Sequence, residues 1–311
     1  MTGTTLSTPA PARGALLAAF AAVYLIWGST YLVMKFAVAT MPPLLMAGTR
    51  YGLAGGLLYG FLRGRGVPAP TRRGWGYAAV IGVCLLGFGN GGTTFGVLYL
   101  PSGTTALLVA SVPMFLAVLG WASGVSARPR ALVWLGLGAG LAGMYLLAAH
   151  PSAAPVQRPG HAGLGVGLVL LAALVWSGGS LYSKGHQPAE SPFLAGAMQM
   201  LCGGGAMLVL GLMRGEAAGF ELAQVSGKSW LAYGYLVSVG SIVAFTAYIW
   251  LLRNVEPALA GTYAFVNPVV AVGLGWAFGS EVPHPQMLGG AGLIVLAVGL
   301  VVLGGRRKSA V

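Results

Sequence analysis

Trp27-Gly28-Ser29, followed by Lys35, Pro43 and Arg50, returns as Trp176-Ser177-Gly178, followed by Lys184, Pro192 and Gln199. Trp, Lys and Pro recur at identical spacing, 149 residues apart, inside two hydrophobic stretches. A chain that repeats a unit of this length is built from two copies of one structural half. The duplication continues downstream with small changes of offset. Pro113 and Gly120 match Pro268 and Gly275 at 155, and Gly138-Ala139-Gly140-Leu141 matches Gly290-Ala291-Gly292-Leu293 at 152. Loop insertions and deletions give shifts of that size.

The chain around these motifs has 311 residues, 57% of them hydrophobic and 7% charged. A soluble domain carries about 25% charged residues, so the solvent of this chain is lipid. A hydrocarbon core about 30 Å thick needs roughly 20 helical residues. Ten segments qualify: 15–39, 44–62, 75–99, 103–123, 131–149, 162–184, 192–213, 229–252, 258–279 and 286–304. The breaks carry turn chemistry, as in Met41-Pro42-Pro43 and Pro101-Ser102-Gly103. Residues 1–12 read as a disordered Pro/Thr/Ala-rich tail, 13–150 as the first five-helix repeat, 151–159 as a linker and 160–308 as the second repeat. The apolar run after Arg13 is too long for a leader h-region and reads as a span.

Basic residues set the orientation. With the N-terminus inside, the inner segments hold twelve: Arg13, Arg63, Arg65, Arg72, Arg73, Arg128, Arg130, Lys184, Arg253, Arg306, Arg307 and Lys308. The outer side holds four: Lys35, Arg158, Arg214 and Lys228. Five spans per half is an odd number, so the second half enters the membrane from the opposite side. The expected fold is an all-α integral membrane protein of ten transmembrane helices in two inverted five-helix repeats, with both termini cytoplasmic. The net charge of +12 lies in short segments between apolar runs. It reads as a topology signal and not as a nucleic-acid surface.

The chemistry that is missing narrows the function. The chain has five Glu and no Asp, and each Glu (190, 216, 221, 256, 281) lies near a segment end. All four His fall in expected loops. An Asp/Glu/His proton relay within the spans therefore lacks its parts. No phosphate-binding loop is present, so ATP is not expected to drive this chain. An intramembrane enzyme would need paired Asp, an HExxH helix or a Ser–His pair within the spans, and none is available. No cofactor or metal is expected. Cys84 and Cys202 read as small hydrophobes within apolar segments. A channel-like facilitator would be expected to show charged rings or filter loops, and it stays open as an alternative.

Candidate site residues follow from polarity inside apolar helices. Trp27, Tyr31 and Lys35 lie at i, i+4 and i+8 on span 1, and Trp176, Ser180 and Lys184 repeat that stripe on span 6. Such a stripe suits a ligand with an apolar body and a carboxylate. Interface anchoring by the aromatics and snorkelling by the lysines is the other reading. Arg50 lies six residues into span 2. A charge at that depth costs about 2.5–3.5 kcal/mol on insertion scales and must face protein or water. It either caps a broken helix or meets substrate. Asn90 with Thr94, Tyr263 with Asn267, and Tyr248 near Ser241 and Thr246 read as interhelical glue or as cavity lining. Pro113 and Pro268 are expected in mid-span, where each favours a kink and serves as a hinge or a static bend. Lys35 and Lys184 complete the gating set. Gly52, Gly55, Gly56, Gly136, Gly140, Gly289 and Gly292 read as helix-packing positions.

The pattern resembles the EamA-type transporters of the drug/metabolite transporter superfamily. Trp27-Gly28-Ser29, Lys35, Pro43, Arg50 and Pro113 carry the resemblance in the first half. Trp176, Lys184, Pro192, Pro268 and the Gly-rich last span carry it in the second. It covers roughly residues 15–305. The resemblance implies a bacterial inner-membrane, multi-pass transporter with a central cavity. It also implies export or exchange of small amphipathic metabolites, amino acids leading and aromatic ones favoured. Proton-coupled export of another metabolite or drug is the alternative. The expected partners are a small-molecule substrate and the bilayer, and each chain holds a complete site, so no oligomer is required. The second copy departs from the first: Gln199 replaces Arg50, and Ser177-Gly178 replaces Gly28-Ser29.

Overall fold

The computed structural model describes residues 12–100, 105, 108–148, 160–186, 191–279 and 285–305. Residues 1–11 of the expected tail and the linker 151–159 lie outside them. Along the chain run α1 (Arg13–Val38), α2 (Pro43–Gly64), α3 (Arg72–Gly82), α4 (Gly91–Tyr99), α5 (Val112–Ala122) and α6 (Ala131–Ala148). The order continues with α7 (Ala162–Gly185), α8 (Pro192–Met213), α9 (Gly227–Tyr235), α10 (Ala244–Asn254), α11 (Pro257–Ala260), α12 (Tyr263–Gly279) and α13 (Pro285–Gly305). A π-helical segment, Val83–Asn90, joins α3 to α4, and another, Leu236–Val243, joins α9 to α10. Five continuous helical runs are long and apolar enough to cross a membrane: Arg13–Val38, Arg72–Gly96, Ala162–Gly185, Pro192–Met213 and Gly227–Asn254.

Local chemistry sets the helix ends. Pro43 and Pro192 open α2 and α8, where the missing N–H is unpaired in any case. Thr71, Ser191 and Ser226 accept from the backbone N–H of Gly74, Leu194 and Ser229 and so cap α3, α8 and α9. Arg65-Gly66 ends α2 and Arg214-Gly215 ends α8, with φ of 82° and 74° at the two glycines. A left-handed residue at that point is a standard helix stop. Glu216 then reaches the start of α2, where its carboxylate accepts from Leu44 N at 2.8 Å and Leu45 N at 3.0 Å.

Pro113 differs from its expected place. It sits in the first turn of α5, after a turn at Ala110-Ser111. At that position the missing N–H costs α5 no hydrogen bond of its own. Pro268 does lie inside α12.

Packing pairs α1 with α10 and α12, α7 with α4 and α5, α2 with α8, and α6 with α13. Helices this apolar gain little from leaving lipid and associate by close contact. A Cβ placed on Gly204 would lie 2.8 Å from Gly52 N and 2.9 Å from Gly48 O, so α2 and α8 touch backbone to backbone. Gly55, Gly136 and Gly140 are likewise in contact with a neighbouring helix. Gly52, Gly56, Gly289 and Gly292 are not pressed at their own Cβ positions, which meet nothing within 4 Å. Large apolar side chains such as Leu57, Leu135, Leu171 and Leu212 face outward, while Arg50, Gln199, Ser180 and Asn267 are buried. That polarity is what a lipid solvent requires.

Candidate functional site

Four aromatic rings from four helices meet at the centre. Trp27 of α1 lies 5.8 Å from Trp176 of α7, 5.2 Å from Tyr248 of α10 and 4.7 Å from Tyr263 of α12. Trp176–Tyr248 and Tyr248–Tyr263 are each 5.5 Å apart. Edge-on and tilted geometries dominate, as the ring quadrupoles favour. Trp27 Nε1 donates to Gly240 O at 3.3 Å, and Trp176 Nε1 donates to Tyr248 Oη at 3.0 Å. Ser180 Oγ lies 2.8 Å from the same Tyr248 oxygen. Both indoles are thus fixed from behind.

The box walls one end of a cavity of about 630 Å³, counting the space that opens to solvent. Trp27, Thr30 and Met34 line it along α1, Arg50 and Tyr51 on α2, and Gly89, Asn90 and Thr93 around the first π segment. Trp176 on α7 and Tyr263 and Asn267 on α12 complete the polar and aromatic lining.

Arg50 is 2% exposed. Its Nε donates to Leu236 O at 3.2 Å and to Ser241 Oγ at 2.8 Å, and its guanidinium lies 4.6 Å from the Tyr51 ring centroid. The second π segment makes this possible. Its wider turn presents Leu236 O inward, where Ser241 Oγ also binds it at 2.9 Å. Gly240 keeps the backbone close: a Cβ there would stand 3.1 Å from Arg50 Nη2. Arg50 Nη1 is buried without a hydrogen-bond partner among the described residues, as are Asn90 Oδ1 and Asn267 Oδ1. No carboxylate is among the described lining residues.

Of the residues expected from the sequence, Trp27, Arg50, Asn90, Trp176, Tyr263 and Asn267 converge on this cavity. Thr94, Ser180 and Tyr248 stand behind the wall. Each is at most 1% exposed, and each is held by neighbours, Thr94 through Asn90 O at 2.8 Å and Met34 Sδ at 3.7 Å. The side chains of Tyr31 and Lys35 lie outside the described residues. Lys184 is away from the cavity and donates to Val255 O at 2.9 Å, beside a Ser126 Oγ–Glu256 bond of 3.2 Å. The sequence reading missed Thr30, Met34, Tyr51, Gly89 and Thr93. The Gly89-Asn90-Gly91-Gly92 run was the available signal, since close backbone approach around a polar residue needs glycine: a Cβ on Gly89 would lie 2.7 Å from Trp176 Cε3.

The model of the EamA-like transporter family matches residues 12–149 and again residues 163–303. The Uncharacterized inner membrane transporter YedA of Escherichia coli (strain K12) is 41% identical over 290 residues, covering 93% of this chain and 91% of that protein. The Probable amino-acid metabolite efflux pump of Salmonella typhimurium is 24% identical over 296 residues, covering 92% and 94%. One solved crystal structure, 19% identical, covers 96% of this chain and 100% of its own at a TM-score of 0.76, which shows a shared fold.

Proposed function

Because this chain belongs to the EamA-like transporter family, we propose that it exports or exchanges small amphipathic metabolites across a bacterial inner membrane, amino acids first and aromatic ones favoured. The route is alternating access around the central cavity, without a carboxylate proton relay in the spans. The observation that carries this reading is Arg50: a buried guanidinium with one nitrogen unpartnered, on a residue that lines the same cavity as Trp27, Trp176 and Tyr263, with no carboxylate among the described lining residues. Its Nε is tied to the second π segment, so only the outer nitrogens are available to an anion. A carboxylate there would gain a charge-assisted bond, while the apolar body would rest on Trp27, Trp176 and Tyr263.

The ten-span, inverted arrangement of residues 13–150 and 160–308, with both termini cytoplasmic, belongs to the same proposal. The contact pattern supports it. Exchanging α1 with α7, α2 with α8, α4 with α10, α5 with α12 and α6 with α13 maps most of the large helix pairs onto one another, whereas α3–α8 has no counterpart of similar size. The hydrogen bonds at Lys184 and Glu256 then lie on the cytoplasmic side as a gate, and Pro268 serves as a hinge.

Counterflow in proteoliposomes with a panel of amino acids, nucleosides and sugar phosphates tests the substrate class. Amino acids are expected to lead, and Arg50→Ala to reduce their counterflow about tenfold or more, the loss of one charge-assisted bond. Unaltered counterflow of carboxylate substrates by Arg50→Ala would remove the basis of the proposal. Concentrative uptake that collapses with a protonophore would replace gradient-driven transport with proton coupling.

A further inference from the structure

Resting on that reading of the cavity, we infer that Asn90 and Asn267 form an ammonium subsite, so that the cavity selects a zwitterion over a simple carboxylate. Both side-chain oxygens are buried without partners among the described residues, and both residues line the cavity that Arg50 also lines. These cavity-lining residues thus carry one unmet donor and two unmet acceptors. Leaving such groups unpaired is costly, so the complementary ligand brings an acceptor to Arg50 and donors to the two asparagines.

Neither asparagine oxygen is explained by the fold. Pro268 removes the N–H that would pair with Ala264 O, and a freed carbonyl needs a donor, which Asn267 Oδ1 cannot supply. Thr94 Oγ binds the backbone oxygen of Asn90 and leaves the side-chain amide uninvolved.

Charge selects among donor-bearing ligands. The Arg50 guanidinium is uncompensated by any carboxylate among the described lining residues, so it opposes a lone cation. An ammonium enters only with its own carboxylate. Two of its N–H groups then serve Asn90 and Asn267, and the third faces the aromatic wall, where the rings of Trp27 and Tyr263 attract a cation.

The test compares the binding of phenylalanine, 3-phenylpropanoate and 2-phenylethylamine to the purified protein by calorimetry. Phenylalanine is expected to bind about tenfold or more tightly than either analogue. Asn90→Ala and Asn267→Ala are expected to shrink the preference over 3-phenylpropanoate, and Arg50→Ala the preference over 2-phenylethylamine. Asn90→Asp keeps shape and acceptor while adding a negative charge, and should restore ammonium binding and admit 2-phenylethylamine. If 3-phenylpropanoate binds as tightly as phenylalanine in an Arg50-dependent way, the ammonium subsite is wrong while the carboxylate reading stands. Alanine variants that keep the native preference also overturn it. If none of the three compounds binds, the aromatic amino-acid reading fails and the subsite with it.

Discussion

The Tyr248 hydroxyl is shared between Trp176 Nε1 and Ser180 Oγ, and it faces away from the cavity. Tyr248→Phe would leave the indole N–H without this acceptor at a fully buried site. The expected cost is about 1–3 kcal/mol, read as a lower unfolding midpoint in detergent, with the order of preferred substrates unchanged. Gly89→Ala acts differently. The new methyl would meet Trp176 Cε3 at 2.7 Å, against a ring already locked by Tyr248. It is expected to impair counterflow several-fold, whereas Gly52→Ala, whose Cβ meets nothing within 4 Å, should stay within about 0.5 kcal/mol of the parent in stability. Trp27, Trp176, Arg50 and Asn267 were legible in the sequence because aromatic and polar groups stand out inside apolar helices. Thr30, Met34 and Tyr51 were not: isolated threonines, methionines and tyrosines are ordinary in such segments, and only the crossing of α1 and α2 beside one cavity distinguishes them.

At the scale of elements, the helix limits were mostly legible, since proline, serine and Arg-Gly pairs mark them directly. Segment 192–213 and the helix α8 coincide. The two π segments were not legible. In an all-round apolar helix the side chains carry little positional contrast, so one extra residue per turn leaves no periodic trace. Yet the second of these segments supplies Leu236 O, Gly240 O and Ser241 to Arg50 and Trp27. Pro113 was misplaced for a related reason: a mid-segment proline in sequence can as well open a helix as bend one. Glu216 makes a separate prediction. Its carboxylate is the cap for α2, so Glu216→Ala should speed amide exchange at Leu44 and Leu45 and cost about 1 kcal/mol locally. Exchange at Gly74, capped by Thr71, serves as the internal reference.

For the whole molecule, the family model matches twice, over residues 12–149 and 163–303, where the sequence stated the repeat only as an offset. The proposed topology puts Arg65 inside and Glu221 outside, and both are exposed. In a background lacking Cys84 and Cys202, a membrane-impermeant thiol reagent should label Glu221→Cys in spheroplasts and Arg65→Cys only after lysis. The reverse pattern would invert the orientation.

In the proposed cycle, a guanidinium within the bilayer, with no carboxylate among the described residues lining its cavity, makes the transmembrane voltage a participant. When one side of the cavity is sealed, the field falls across that seal, and the fixed positive charge takes the electrical level of the open side. A full traverse corresponds to about 2.3 kcal/mol per 100 mV. A negative interior therefore favours the cavity open to the cytoplasm, the side on which the proposed export loads its cargo. A zwitterion adds no net charge, so empty and loaded forms feel the same bias. In vesicles held at a set voltage, the rate of exchange should change while the final concentration ratio does not.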